Sequence, residues 1–324
     1  MYIKMLNKKK ISIVIPAWNE YESLVEIHSR LDNIEKKLNK KYEIEFIVID
    51  NHSTDDTPRL MRKYCEDNSK WRYVRFSRNF GIEASFSQGV DLANGDALIF
   101  LFSDMQDPPE KILDLIDKWE DGYDVVYGVI NQRSDGRILE KIGAIVLHKL
   151  LNRLSGNVIP RNAADFQLIA RPVINALRLC KEKNRYMRGL VHSLGFRKTG
   201  VPFSRDPRKY GSTKMGLFYR INYAITSISA FSSAPLLMAS IFGVFLTALS
   251  FIGSILYFLS KIFNYYGIEL LPTPPAGWTT LILLLLFFNG VSMLFLGVIG
   301  KYISNIYIEV KGRPGSVIEY SIGI

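Results

Sequence analysis

The segment Ser103-Asp104-Met105-Gln106-Asp107-Pro108-Pro109-Glu110 sets two carboxylates and an amide at the end of the apolar run 98–102. Oxygen ligands of this kind suit a hard divalent cation, and Mg2+ commonly shares one or two carboxylates with substrate phosphates. In an extended chain Asp104 and Gln106 face one way. Asp107 then faces elsewhere and reads as the cap of the helix that follows. Taken alone, the segment fits a metal site, a catalytic acid pair or a capped loop. Two other segments carry similar groups. Pro16-Ala17-Trp18-Asn19-Glu20 offers Trp18 as a stacking surface and Glu20 as an acceptor, and 50–57 offers Asp50 ahead of a polar turn. Each of these, in isolation, also fits an ordinary cap or turn.

These loops need a scaffold, and the sequence supplies one. Apolar, β-branched runs at 11–16, 45–50, 71–76, 96–102 and 124–129 alternate with helical stretches at about 20–40, 58–67, 82–93 and beyond Pro109. That alternation predicts an α/β fold with a doubly wound, mostly parallel sheet. Ligands of such sheets sit beyond the carboxyl ends of the strands. "PAWNE", "DNHSTDD", "SRNFG" and "SDMQD" all fall there. No GxGxxG follows the first strand, which argues against a dinucleotide site.

Charge and hydropathy add a membrane. The 324-residue chain is 48% hydrophobic, with no charged residue between Arg220 and Lys261 or between Glu269 and Lys301. Each gap exceeds the roughly 20 apolar residues that span a bilayer. Spans are expected at about 235–259 and 278–300, inside a 234–303 membrane region. Lys and Arg gather before the first span and after the second, so both termini and the first 200 residues are expected in the cytoplasm. Residues 136–156 pair an apolar face with basic residues, the pattern of an interfacial helix or of an ordinary core-facing one. A second such segment runs over 215–233, and 304–324 reads as a cytoplasmic tail. Cys65 and Cys180 show no metal or redox spacing. The pI near 9.4 suits an anionic partner or membrane surface, and no nucleic-acid motif is present.

Read together, "IVIPAWNE" (13–20), "IVIDNHSTDDT" (47–57), "SRNFGIEAS" (77–85), "SDMQDPPE" (103–110), "ADFQLIARPV" (164–173), the 188–214 segment and "FLGVIGKYISNIYIEVKGRP" (295–314) resemble the family-two glycosyltransferases of the GT-A fold. The nearest likeness is to the membrane-anchored branch, with dolichyl-phosphate mannose synthase and bactoprenol glucosyltransferases, that moves a sugar from a nucleotide to a polyprenyl phosphate. The resemblance implies a GT-A domain over 1–214, followed by interfacial helices and two transmembrane helices. It implies a multi-pass protein of the cytoplasmic membrane and an inverting, metal-dependent hexosyl transfer from a UDP-glucose-like donor to undecaprenyl phosphate. Partners would be the nucleotide sugar, the polyprenyl phosphate and the bilayer, and a homo-oligomer is compatible.

The resemblance also implies roles. Pro16, Trp18, Glu20, Asp50, Asn79 and Asp104 would surround the nucleotide sugar. Asp104 and Gln106 would hold Mg2+ or Mn2+, and Asp104 and Asp165 would be catalytic, Asp165 as the base. Arg133, Lys141, Arg205, Arg208 and Lys214 would face the acceptor phosphate. The chain departs from the family pattern at Phe102, Asn51, His52, Ile82, Ile130 and Gln167, where relatives often carry two acids, a glycine, a lysine, a basic residue and an arginine. His52 reads as a turn residue. Two rival readings are a processive polysaccharide synthase, for which the QxxRW-type motif and further spans are missing, and a non-enzymatic membrane scaffold, which leaves the polar rim loops unexplained.

Overall fold

The computed structural model describes residues 8–131, 159–183, 185–206, 209 and 277–324, with scattered positions between 236 and 266. The chain divides into two units, Met1–Ala230 with Lys311–Ile324, and Phe231–Val310.

The first unit is built on eight strands: β1 (Lys9–Ala17), β2 (Tyr42–Asp50), β3 (Trp71–Phe76), β4 (Ala97–Phe100), β5 (Val125–Ile130), β6 (Ala163–Ala170), β7 (Lys198–Phe203) and β8 (Ile318–Ile322). Helices α1 (Tyr21–Leu38), α2 (Thr57–Asp67), α3 (Ile82–Leu92), α4 (Ile112–Glu120), α5 (Arg171–Leu179) and α6 (Met187–Ser193) connect them. The sheet order is β7-β5-β6-β4-β1-β2-β3-β8. β1 is buried from Ile11 to Ala17 on both faces, as a central parallel strand requires. α1 turns Leu24, Ile27, Leu31 and Ile34 onto the sheet at helical spacing, with Lys36 and Lys37 at its negative end. α3 approaches β1 closely, because a Cβ on Gly89 would stand 2.4 Å from Val14.

The alternating pattern at the sequence level is borne out through β1 to β4, all parallel. It does not continue as expected. β6 is inserted between β4 and β5 and runs antiparallel to both. This insertion carries the "ADFQ" segment to the strand beside "FLFSD". The other departure is at the far edge. Residues 304–324 are not simply a tail: a strand within them, β8, pairs antiparallel with β3.

In the second unit, helix α7 (Trp278–Lys311) continues past Lys301, beyond the expected end of the span. Within it, Phe287–Lys311 is long and apolar enough to cross a membrane by length and composition, and it is the one such helix among the described residues. The expected first span, 235–259, is described only at scattered, helical positions. The expected interfacial segments 136–156 and 215–233 lie outside the described residues.

Candidate functional site

The loops after β1 and β2 are locked into one rim. Asn19 adopts φ 54° and His52 φ 65°, the left-handed region that favours glycine or asparagine. This backbone makes His52 a turn residue, as the sequence suggests. The Asn19 N–H donates to Ser53 Oγ at 2.8 Å, and the Thr54 N–H donates to Asn19 Oδ1 at 2.7 Å. Trp18 stands on this rim, 38% exposed. Glu20 accepts a hydrogen bond from Ser23 at 2.8 Å, in the first turn of α1. Pro16 lies buried within β1.

Asp50 is the hub of the second loop. It is wholly buried. Its Oδ1 accepts from Ser53 N at 2.8 Å and Ser53 Oγ at 2.6 Å. Its Oδ2 accepts from Tyr73 Oη at 2.6 Å and Arg75 Nη1 at 3.2 Å. Four protein donors occupy this carboxylate, so its visible action is to shape the 50–57 loop. Asn51 does the same for the next loop. Its Nδ2 donates to Ser85 Oγ at 2.6 Å and to Gly81 O at 3.2 Å, while its Oδ1 accepts from Phe80 N at 3.2 Å. An amide serves here because both a donor and an acceptor are needed. Asn79 accepts the Gly81 N–H at 2.8 Å and so fixes the turn into α3.

Three carboxylates gather where β4 ends and β6 begins. Asp104 Oδ1 accepts the Gln106 N–H at 3.2 Å around Met105, which adopts φ 60°. Asp107 is fully buried and does not cap the following helical turn, whose cap position is Pro108. The cap expected from the sequence is therefore wrong. Asp107 instead receives Arg205 through Nε at 2.9 Å and Nη2 at 3.3 Å. Burial pushes the Asp107 carboxyl up, Arg205 opposes that, and the charges of Asp104 and Asp165 add to it. Asp104 and Asp165 thus lie within electrostatic reach of the same pair. The Asp206 N–H also donates to Gln106 O at 3.0 Å, clamping the chain after β7 to the acid loop. Asp165, on β6, forms a two-pronged pair with Arg188 at the start of α6, with Nε–Oδ1 at 2.6 Å. Arg188 sits inside the quoted 188–214 segment but was not assigned a role from the sequence.

Arg205, expected to face the acceptor phosphate, donates to Asp107. Arg133, Lys141, Arg208 and Lys214 lie outside the described residues. Phe102, one of the departures from the family pattern, packs edge-on against Phe86 of α3 with ring centres 5.4 Å apart. No group of three His, Cys, Asp or Glu side chains suited to a metal occurs among the described residues. Asp107 and Asp165 each face an arginine, and Asp104 and Gln106 share one loop and carry oxygen-bearing side chains of the kind a hard cation takes together with water and substrate oxygens.

Behind Asp165 lies a buried polar cluster. Gln167 Oε1 and both ring nitrogens of His192 have no hydrogen-bond partner. The His192 ring stands edge-on to Tyr127, centres 5.0 Å apart. Burial first, then the charges of Lys198 and Arg188, hold the imidazole down to about 4.

Residues 12–178 match the family described as Glycosyl transferase family 2. An uncharacterized glycosyltransferase of Bacillus subtilis, YkcC, is 35% identical over 313 residues, covering 97% of this chain and 94% of its own. The bactoprenol glucosyl transferase of Shigella phage SfII is 34% identical over 314 residues, 96% of this chain and 98% of its own. Among solved structures, mannosyl-3-phosphoglycerate synthase from Rubrobacter xylanophilus aligns with 68% of this chain and 73% of its own, at 13% identity and a TM-score of 0.48.

Proposed function

The chain belongs to glycosyltransferase family 2, with that family's α/β GT-A fold, and from this premise we propose that it transfers a hexose from a nucleotide sugar to a polyprenyl phosphate at the cytoplasmic membrane face. One observation carries the reading. The bactoprenol glucosyl transferase of phage SfII aligns over 96% of this chain, which takes in the apolar C-terminal third as well as the catalytic unit. A donor of the UDP-glucose kind and undecaprenyl phosphate follow from that likeness.

The acceptor is a phosphate monoester with a second pKa of about 6. At neutral pH it is a dianion and needs positioning and charge compensation more than deprotonation. Asp165 suits that task by holding Arg188 at the rim, where its cation can face an incoming phosphate. Asp104 and Gln106 would hold the Mg2+ or Mn2+, whose charge would compensate that of the nucleoside diphosphate. Trp18 offers a ring to the base, on a rim fixed by Asn19, Ser53 and Asp50. A single displacement by the acceptor phosphate inverts the anomeric centre.

Connectivity supports a two-span membrane region. β8 follows α7 and pairs with β3, so the chain leaves and rejoins the same unit. On this reading the segment between would cross a bilayer an even number of times, with α7 as one crossing and 235–259, the remaining apolar stretch of sufficient length, as the other. The test is transfer of labelled glucose from UDP-glucose to undecaprenyl phosphate in lipid vesicles. We expect product in the organic phase, abolished by chelator and reduced at least about a hundredfold by Asp104→Asn. Full activity of Asp104→Asn with chelator present would overturn the reading.

A further inference from the structure

We propose that the C-terminal strand is a working part of the donor site, with Glu319 as a positioning residue that holds the 50–57 loop through Arg75. This rests on the reading of the Asp50 rim as the nucleotide site. β8 does not pair evenly with β3. Arg75 faces Tyr320, but the next residue, Phe76, faces Ile318, so Glu319 is the extra residue of a bulge. Bulges re-aim a side chain out of the regular pleat. Here the bulge brings Glu319 Oε2 to 2.8 Å from Arg75 Nε.

Arg75 is then gripped along its length. Beyond Nε, its Nη1 donates to Ser53 O at 2.8 Å and to Asp50 Oδ2 at 3.2 Å. Ser53 in turn accepts from the backbone of Asn19, next to Trp18. A continuous set of hydrogen bonds thus runs from the last residues of the chain to both loops of the rim. Glu319 is itself about half exposed, whereas the Arg75 side chain is only 13% exposed. An exposed carboxylate of this kind adds little to stability. Its effect is geometric: it fixes the plane of a guanidinium whose other edge shapes the loop.

The strand has other anchors. Arg72 Nε donates to Gly323 O at 2.8 Å, Ser77 N donates to Val317 O at 2.9 Å, and the Arg62 guanidinium lies 4.9 Å over the Tyr320 ring. Removing the Glu319 carboxylate should therefore leave β8 docked, so the side chain can be tested apart from the strand.

The experiment uses the full chain in detergent, with calorimetric titration of UDP and of GDP in the presence of Mg2+, on wild type, Glu319→Ala and Glu319→Gln. We expect the better-bound nucleotide to weaken about tenfold in Glu319→Ala, a coupling of ordinary size. Glu319→Gln, which keeps an acceptor for Arg75 Nε, should stay within about twofold of wild type. The melting temperature and the acceptor KM should not change. Unchanged nucleotide affinity in Glu319→Ala overturns the inference alone. So does a loss of nucleotide affinity accompanied by a rise in acceptor KM and a fall in melting temperature, which marks a merely structural role. Binding of neither nucleotide by wild type overturns the functional reading, and this inference with it.

Discussion

At the scale of single residues, the acids near the rim divide by their partners. Asp107 is buried and neutralised by Arg205, so its loss strands a cation at a partly covered position. Asp107→Ala should cost about 2–4 kcal/mol, below the full figure for a buried pair because Arg205 still touches water. Denaturant unfolding measures this, and a cost under about 0.5 kcal/mol would show that the Asp107–Arg205 pair does not hold the acid loop together. His192 sets a pH dependence. Its folded pKa of about 4 lies below the ordinary 6.5, so its contribution is present above pH 6.5 and is lost as pH falls toward 4. The loss should approach about 3 kcal/mol at the acid end. Melting curves of wild type and His192→Leu between pH 7 and 4 check it: the variant should fall less steeply.

At the scale of elements, Asn51 joins the end of β2 to the start of α3. Asn51→Asp restores the acid common in relatives but removes the donor to Ser85 and Gly81, leaving a carboxylate against a carbonyl. We expect a loss of about 1–3 kcal/mol and weaker donor binding, measured by thermal unfolding and nucleotide titration. Much at this scale was legible beforehand. The strands β1 to β5 announce themselves by β-branched apolar runs, and the polar loops by their position just after them. β6 was visible as a motif but not as an antiparallel insertion, because "ADFQLIA" gives no sign of its partners. β8 was hidden altogether. "IEYSI" is short, carries a charge and follows a membrane-like helix, so only the open edge of β3 explains why it becomes a strand. Site residues were legible by type and spacing, while their pairings were not. Asp165 with Arg188, and Asp107 with Arg205, join residues 23 and 98 positions apart.

At the scale of the whole molecule, the distribution of Lys and Arg predicts which parts face outward. A single cysteine introduced at Thr273, in a background with Cys65 and Cys180 replaced, should react with an impermeant thiol reagent in intact cells, and one at Ser316 should not. Labelling at Ser316 instead would invert the orientation. The pairing of β8 with β3 has a consequence in time. A ribosome makes residues 318–322 after the apolar segments that precede them in the chain. Until then the edge of β3 is open and Arg75 lacks Glu319. On the proposed function, assembly of the nucleotide rim would then follow membrane integration, and a chain cut short of β8 would lack the Glu319 grip on Arg75.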